Sequence, residues 1–438
     1  MTVSGKKIKV FSIVALALGS STILAACGSS SSSTSATNST TAKKSSPVTV
    51  TLWESHNGGP VGDEMTTMVD NFNATHVGVK VNIVVTKASS KLLAAIAAGD
   101  PPTLAEISHY DGKYVRSGAL ASWNSYVTKS SVVTQGNMLP AAWRNGEVRS
   151  THYRLETDMK LSEVFYNQSL FAKAGISSAP QTDAQMATDA AKLKALGVIP
   201  IGWKDSSAHI LPTFLSNGGS MLKGSNAIGH SVAFNNAAGT ATFSYFHHLY
   251  AAGELQFHHG TTLRQDFASG KIGMIDGTSA GYAKVLAAVG GAFKVGAFVE
   301  PSGSTGIHYN LAQGLGFVMP KADTTVQRNA AWTFVQWWFG AKQQAAWAMA
   351  TGFAPETKAG IADVPASFLT THPGLKASLA AALSPHTFPR PVSDSYNEVQ
   401  ASLDTEFFNA VTGKQSISSS LSTLQSQGNS YMSGASEL

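Results

Sequence analysis

This sequence predicts an α/β fold in two lobes, and three observations predict it. From residue 48 onward, β-branched runs alternate with amphipathic stretches, the order of a mainly parallel sheet with helices on its faces. About 390 residues follow that point, beyond the roughly 250–300 at which a single core stops growing, so the chain divides. At 43% hydrophobic residues, with 40 glycines and 16 prolines, the composition is that of a globular chain able to bury a large core.

The residues ahead of that core read differently. Lys6, Lys7 and Lys9 precede an apolar run over 10–18 that resumes at Ile23, and no acidic residue accompanies them. A positive start, a short apolar core and small residues before a cut form an export signal, assigned to residues 1–26. The apolar run is roughly 15 residues, short of the ~20 that span a bilayer. Leu24-Ala25-Ala26-Cys27 holds the only cysteine and resembles a bacterial lipoprotein lipobox. The resemblance implies that Cys27 is lipidated and becomes the mature N-terminus. Several acyl chains, at about 0.8 kcal/mol per buried CH₂, would hold a domain on a membrane face. The alternative is a secreted protein whose cysteine is incidental. Residues 27–47, dominated by Ser, Thr, Ala and Asn, cannot bury enough apolar surface to fold. As a flexible tether they would reach roughly 25 Å.

Loss of residues 1–26 removes three lysines and no acid, so the formal charge falls from +5 to +2. That weak balance lacks the clustered Lys/Arg footprint of a nucleic-acid binder. A single cysteine leaves no disulfide to form within the chain. No second apolar run reaches membrane length; 330–350 comes nearest and is interrupted by Gln, Lys and Gly.

Order begins with the alternating strand 48–53. A turn at Asn57-Gly-Gly-Pro60 leads into a helix over 61–73, with Met65, Met68, Val69 and Phe72 on one face. A strand over 79–85 and a helix over 90–98 follow. Gly99-Asp-Pro-Pro102 ends that helix, and 103–108 is the third strand.

Five motifs in order then resemble one family. Leu52-Trp-Glu-Ser, a helix ending at Phe72-Asn73 and Ile96-Ala-Ala-Gly-Asp-Pro-Pro-Thr103 are similar to the first lobe of extracellular solute-binding proteins. Val164-Phe-Tyr-Asn-Gln-Ser-Leu-Phe-Ala-Lys-Ala-Gly-Ile176 resembles that family's crossing into the second lobe. Asp266-Phe-Ala-Ser-Gly-Lys-Ile-Gly-Met-Ile-Asp-Gly277 is the most specific match. Gly352-Phe-Ala-Pro355 resembles the family's return strand, and Arg390-Pro391 with Tyr396 through Gly413-Lys414 its C-terminal segment. The family resemblance implies a two-lobed type II periplasmic-binding-protein fold, maltose-binding-like, with hinge crossings and an interlobe cleft. It places 48–156 and 309–352 in lobe 1, and 157–308 and 353–438 in lobe 2. It also implies a monomer that captures a sugar or polyol and passes it to the permease of an ATP-driven (ABC) importer. No P-loop occurs in the chain, so transport energy would come from another subunit.

Sugars present hydroxyls and apolar ring faces, so such a cleft needs aromatic platforms and polar acceptors. Trp203 follows the strand 198–201, near the carboxyl end where ligands collect in open α/β sheets; core packing is its alternative. Ser279 follows the strand 272–275 and opens a helix over 280–289, so it reads either as a ligand contact or as a helix cap. Gly314 either lets backbone approach ligand or makes a turn. Glu54 and Asp158 are the expected hydroxyl acceptors, with Tyr110 as a wall. By resemblance, Phe353 stands where phosphoglycerol binders carry a tyrosine, and Arg390 near their anion contact. Asp158 would repel phosphate, which weighs against glycerol-3-phosphate or a phosphodiester as the cargo.

Enzyme signals are weaker. Gly277-Thr-Ser279-Ala-Gly281 fits the nucleophile elbow of a serine hydrolase, with Asp323 and His386 as partners, yet no upstream oxyanion loop exists. His247-His248 and His258-His259 lack Cys or HExxH company, so no metal or cofactor is expected.

Overall fold

The computed structural model describes residues 46–56, 58–107, 112–204, 209–223, 229–258, 262–391, 393 and 395–433. The export signal, Cys27, the tether up to residue 45, Tyr110 and His259 lie outside the described residues.

Two five-stranded sheets organise the chain. The first runs Val79–Val85, Val48–Glu54, Leu104–Ile107, Gly316–Val318, Arg154–Glu156. Its first three strands are parallel, and Gly316–Val318 is antiparallel to both neighbours. The second runs Val295–Val299, Ser162–Asn167, Ile272–Thr278, Ile199–Lys204, Leu255–His258. Here Ser162–Asn167 is antiparallel to both neighbours, and the last three strands are parallel.

Local sequence explains these elements. In Val48–Glu54 the alternation buries Val50, Leu52 and Glu54, as the period of two demands. The helix Gly59–Thr75 buries Met65, Met68, Val69 and Phe72, the i, i+3, i+4, i+7 stripe of an amphipathic helix. Phe72 is fully buried against Phe334 and Trp337, and burial of such a ring stabilises by roughly 1.5–3 kcal/mol. Ala88–Ala98 stops at Gly99, whose φ of 78° lets its N–H cap Ala95 and Ile96, a left-handed cap that glycine adopts without cost.

Each sheet has its own core. Around the first, Trp123, Trp332, Trp338 and Trp347 join Leu52, Met65 and Phe317. Around the second, Ile201, Trp203, Phe246 and Met274 meet Phe407 and Leu424 of the C-terminal helices Tyr396–Val411 and Ile417–Ser433.

The segments between the sheets lie side by side. Lys160 and Gln313 exchange both backbone hydrogen bonds, and Ala354 donates to Met159. The crossing near 309 falls a few residues later than the sequence suggests, because Leu311 of the short strand Asn310–Ala312 packs in the second core. The segment after residue 352 also departs from its expected place in lobe 2. Phe353, Ala354, Val364, Leu375 and Leu379 pack with the first sheet's core, because Phe353 stacks on Trp347 at 6.0 Å and draws the chain back. The helix Pro373–Leu383 touches both sides: Ser378 donates to Glu163 of the second sheet. No helix among the described residues is long and apolar enough to cross a membrane.

Candidate functional site

Where the segments cross, a cleft of about 670 Å³ opens between the two sheets, within the usual size range of small-molecule sites. His56, Asp158, Gly314, Leu315 and Phe353 line it from the first side. Lys204, Arg264, Thr278, Ala280 and Lys284 line it from the second. Lys160 and Gln313 come from the crossings, and Arg390, Tyr396 and Asn397 from the C-terminal segment.

The first wall is built at the carboxyl end of parallel strands. Glu54 ends its strand, His56 follows two residues later, and Glu106 lies on the neighbouring strand Leu104–Ile107. Glu54 Oε2 accepts the His56 backbone N–H and shapes the turn. His56 Nε2 stands 3.4 Å from Glu106 Oε2 and 3.3 Å from Asp158 Oδ2. Burial alone would pull the imidazole pKa down, but Glu106, Asp158 and Glu54 outweigh it and push the value up to about 9. Burial raises the Glu106 carboxyl, and Asp158 adds to the rise. Thr157 Oγ1 donates to the other Glu106 oxygen at 2.6 Å. Below these, Arg154 Nη2 pairs with Glu156 at 2.8 Å and donates to the Gly314 carbonyl at 3.0 Å.

The second wall is cationic. Lys160, Lys204, Arg264 and Lys284 line the cleft, and none of them makes an ion pair among the described residues. Burial lowers the Lys160 pKa, and Arg390 and Lys204 lower it further against the pull of Asp158. Arg390 donates to Gln313 Oε1 at 2.6 Å and lies 5.9 Å over the Tyr396 ring. The backbone N–H of Lys204 donates to Asp276 at 2.9 Å, which fixes the strand end carrying that lysine.

Four expected residues line this cleft: Asp158, Gly314, Phe353 and Arg390. Asp158 is paired with His56 and accepts the Leu315 N–H, so its charge is already engaged. Gly314 serves the crossing itself: a Cβ there would lie 2.0 Å from the Asp158 carbonyl oxygen. Phe353 completes a triangle of rings with Trp347 and His56, each pair 6.0–6.3 Å apart.

Three expectations are corrected. Glu54 is 1% exposed and acts behind His56 rather than on the cleft surface. Trp203 is 1% exposed and packs on Phe246 in the second core. The strand's period of two puts Trp203 on the Ile201 face and turns its neighbour Lys204 to the cleft. Ser279 is also 1% exposed; it neither caps a helix nor faces the cleft, because its hydroxyl accepts the Leu161 N–H at 3.3 Å. Its neighbours Thr278, Ala280 and Gly281 line the cleft in its place. The hydrolase partners are elsewhere, with His386 against Tyr309 at 5.1 Å and Asp323 beside Arg328. His247 bonds the Val411 carbonyl at 3.0 Å, and His258 faces Asp266 at 3.6 Å.

His56, Lys160, Lys204, Arg264 and Lys284 were not among the expected contacts. His56 carries a signal that could have found it, since it follows directly on a parallel strand's carboxyl end.

Residues 67–377 match the profile of the bacterial extracellular solute-binding proteins. The chain belongs to that family. No curated protein matches it in sequence. Solved structures resemble it over nearly their full length. The cyclic α-maltosyl-1,6-maltose binding protein of Arthrobacter globiformis is 19% identical with a TM-score of 0.76, covering 88% of this chain and 99% of its own. The sugar-binding protein MalE of Xanthomonas citri is 17% identical with a TM-score of 0.78, covering 88% and 97%. UgpB of Mycobacterium tuberculosis, solved with glycerophosphocholine, is 16% identical with a TM-score of 0.73, covering 89% and 98%. These likenesses establish the two-lobed periplasmic-binding-protein fold, and the family makes this solute-binding protein an exported one.

Proposed function

We propose that this solute-binding protein captures a carbohydrate or polyol between its lobes and delivers it to the permease of an ABC importer, without chemistry on the cargo. The observation that carries the reading is a cleft lined from both sheets at the point where the chain crosses between them. A ligand held there contacts both lobes only when they close on it, so it shifts the open–closed balance by its difference in affinity for the two states. Phe353 offers an apolar face, and Asp158, Gln313 and Asn397 offer hydrogen-bonding groups, the mixture that sugar rings require. The sugar-binding proteins and the glycerophosphocholine complex among the similar structures support the class. Lipidation at Cys27, with residues 27–47 as tether, would keep the protein at the membrane as a monomer.

A second reading has its own observation. Lys160, Lys204, Arg264 and Lys284 converge on one cleft, and Asp158, the one carboxylate lining it among the described residues, is already engaged. That arrangement favours a polyol bearing a phosphate or carboxylate, and it removes the objection that Asp158 repels phosphate. A thermal-melt screen of neutral sugars, sugar phosphates, uronates and glycerophosphodiesters tests both. Ligand linkage predicts a rise of the midpoint with one class, larger at higher concentration. A flat panel, or ester hydrolysis lost in Ser279→Ala, would overturn the receptor reading.

A further inference from the structure

We infer that the first wall of the cleft holds a divalent metal ion of the zinc class, bound by Glu54, His56 and Glu106, with Asp158 beside His56. The donor atoms of Glu54, His56 and Glu106 lie within 4.8 Å of one another. Asp158 Oδ2 is 3.3 Å from His56 Nε2, and Glu106 Oε2 is 3.4 Å from the same nitrogen. Two donors held at about 2.05 Å by a tetrahedral ion stand about 3.3 Å apart, so the His56–Glu106 separation suits one shared ion.

A hydrogen-bonded cluster would look different. Glu106 Oε2 and His56 Nε2 are buried, and neither has a hydrogen-bond partner among the described residues. Glu106 is fully buried on a strand whose register with Val48–Glu54 pairs Leu52 with Leu104 and Trp53 with Ala105. That register makes Glu54 and Glu106 the next neighbours, two acids side by side, an arrangement that is unfavourable in a sheet. Burial of a charge is costly unless it is paired or coordinates a metal. Arg154 is committed to Glu156 and the Gly314 carbonyl. One imidazole thus faces three carboxylates, and an ion of charge +2 balances them better than a proton does. One imidazole nitrogen with carboxylate oxygens suits Zn²⁺ or its cobalt surrogate better than a soft-thiolate metal. His56 and Asp158 line the cleft, so the ion's remaining position would open toward the cargo.

The inference goes beyond the transport reading and does not rest on it, since the test uses no cargo. The full-length chain is stripped with chelator, then titrated with Zn²⁺ and with Co²⁺, with retained zinc measured after dialysis. The expected result is one zinc per chain and the intense visible absorption of tetrahedral cobalt. Affinity should fall roughly a hundredfold or more in His56→Ala and in Glu106→Gln, since even outer-shell losses cost roughly 10–100-fold. His247→Ala should bind zinc like the parent. Absence of stoichiometric zinc and of the cobalt spectrum in the parent chain would overturn the proposal whatever the variants do. So would parental affinity in a folded His56→Ala, or in His56→Gln should the alanine variant fail to fold.

Discussion

The two walls of the cleft carry opposite chemistry. On the first, Glu106, Glu156 and Asp158 are buried within reach of His56 and Arg154, so the positions of its charged groups are fixed by the protein itself. On the second, Lys204, Arg264 and Lys284 project from three separate elements and pair with no acid among the described residues. The difference separates two jobs. A buried, fixed wall positions hydrogen-bonding groups without changing with each cargo, while an unmatched cationic wall is satisfied only by what enters. Ser279 lies between the walls, its hydroxyl accepting the Leu161 backbone N–H.

The largest effect comes from breaking the balance of the first wall. Arg154→Met leaves Glu156 buried without its cation and should lower stability by about 3–5 kcal/mol in urea unfolding. A loss below about 1 kcal/mol would mean that the wall is not held by this pair. Next, Gly314→Ala places a methyl 2.0 Å from the Asp158 carbonyl oxygen and must push the crossings apart. It should cost roughly 1–3 kcal/mol, again read by denaturant unfolding. Both substitutions leave the second wall untouched.

The second wall should answer in affinity rather than stability. Lys204→Met is expected to leave the melting midpoint of the empty protein within about 1 °C, as surface substitutions do, and to weaken an anionic cargo roughly tenfold, about 1.4 kcal/mol. Calorimetric titration at two salt concentrations checks it, because screening should shrink the difference. An equal loss for neutral and charged cargo would remove the cationic reading.

The smallest effect sharpens the comparison through pH. Glu163, on the second sheet, is fully buried; burial holds its carboxyl well above the ordinary 4.5, opposed by the Ser378 hydroxyl. A carboxyl whose folded pKa is raised contributes most below its unfolded value. That contribution is lost as pH rises from about 4.5 toward the folded pKa. The melting midpoint should therefore decline over this range, and Glu163→Gln should flatten the decline. An unchanged slope would mean that Glu163 is ionised in the fold.

Much of the fold was legible because its signals are local. The alternation of Val50 and Leu52, the stripe from Met65 to Phe72 and the left-handed Gly99 each need fewer than a dozen residues to read. Trp203 shows where that reasoning stops. Its position at a strand's carboxyl end is correct, but which of Trp203 and Lys204 faces the cleft depends on which sheet face the core occupies. Ser279 likewise stands beside the cleft, yet its hydroxyl is claimed by a crossing strand 118 residues earlier in the chain. The wall of His56, Glu106 and Asp158 joins residues 50 and more apart through strand register, and nothing local marks Glu106. The basic wall is less legible still, for Lys204, Arg264 and Lys284 come from three segments where they look like ordinary surface charge.

The most direct test is a crystal structure of the protein with the cargo that raises its melting midpoint. The account predicts that the cargo lies between the walls, with ring atoms on Phe353, hydroxyls toward Asp158 and Gln313, and any anionic group among Lys160, Lys204 and Arg390. Cargo seated instead in the surface hollow beside Tyr166 and Phe171, with the cleft unfilled, would contradict it.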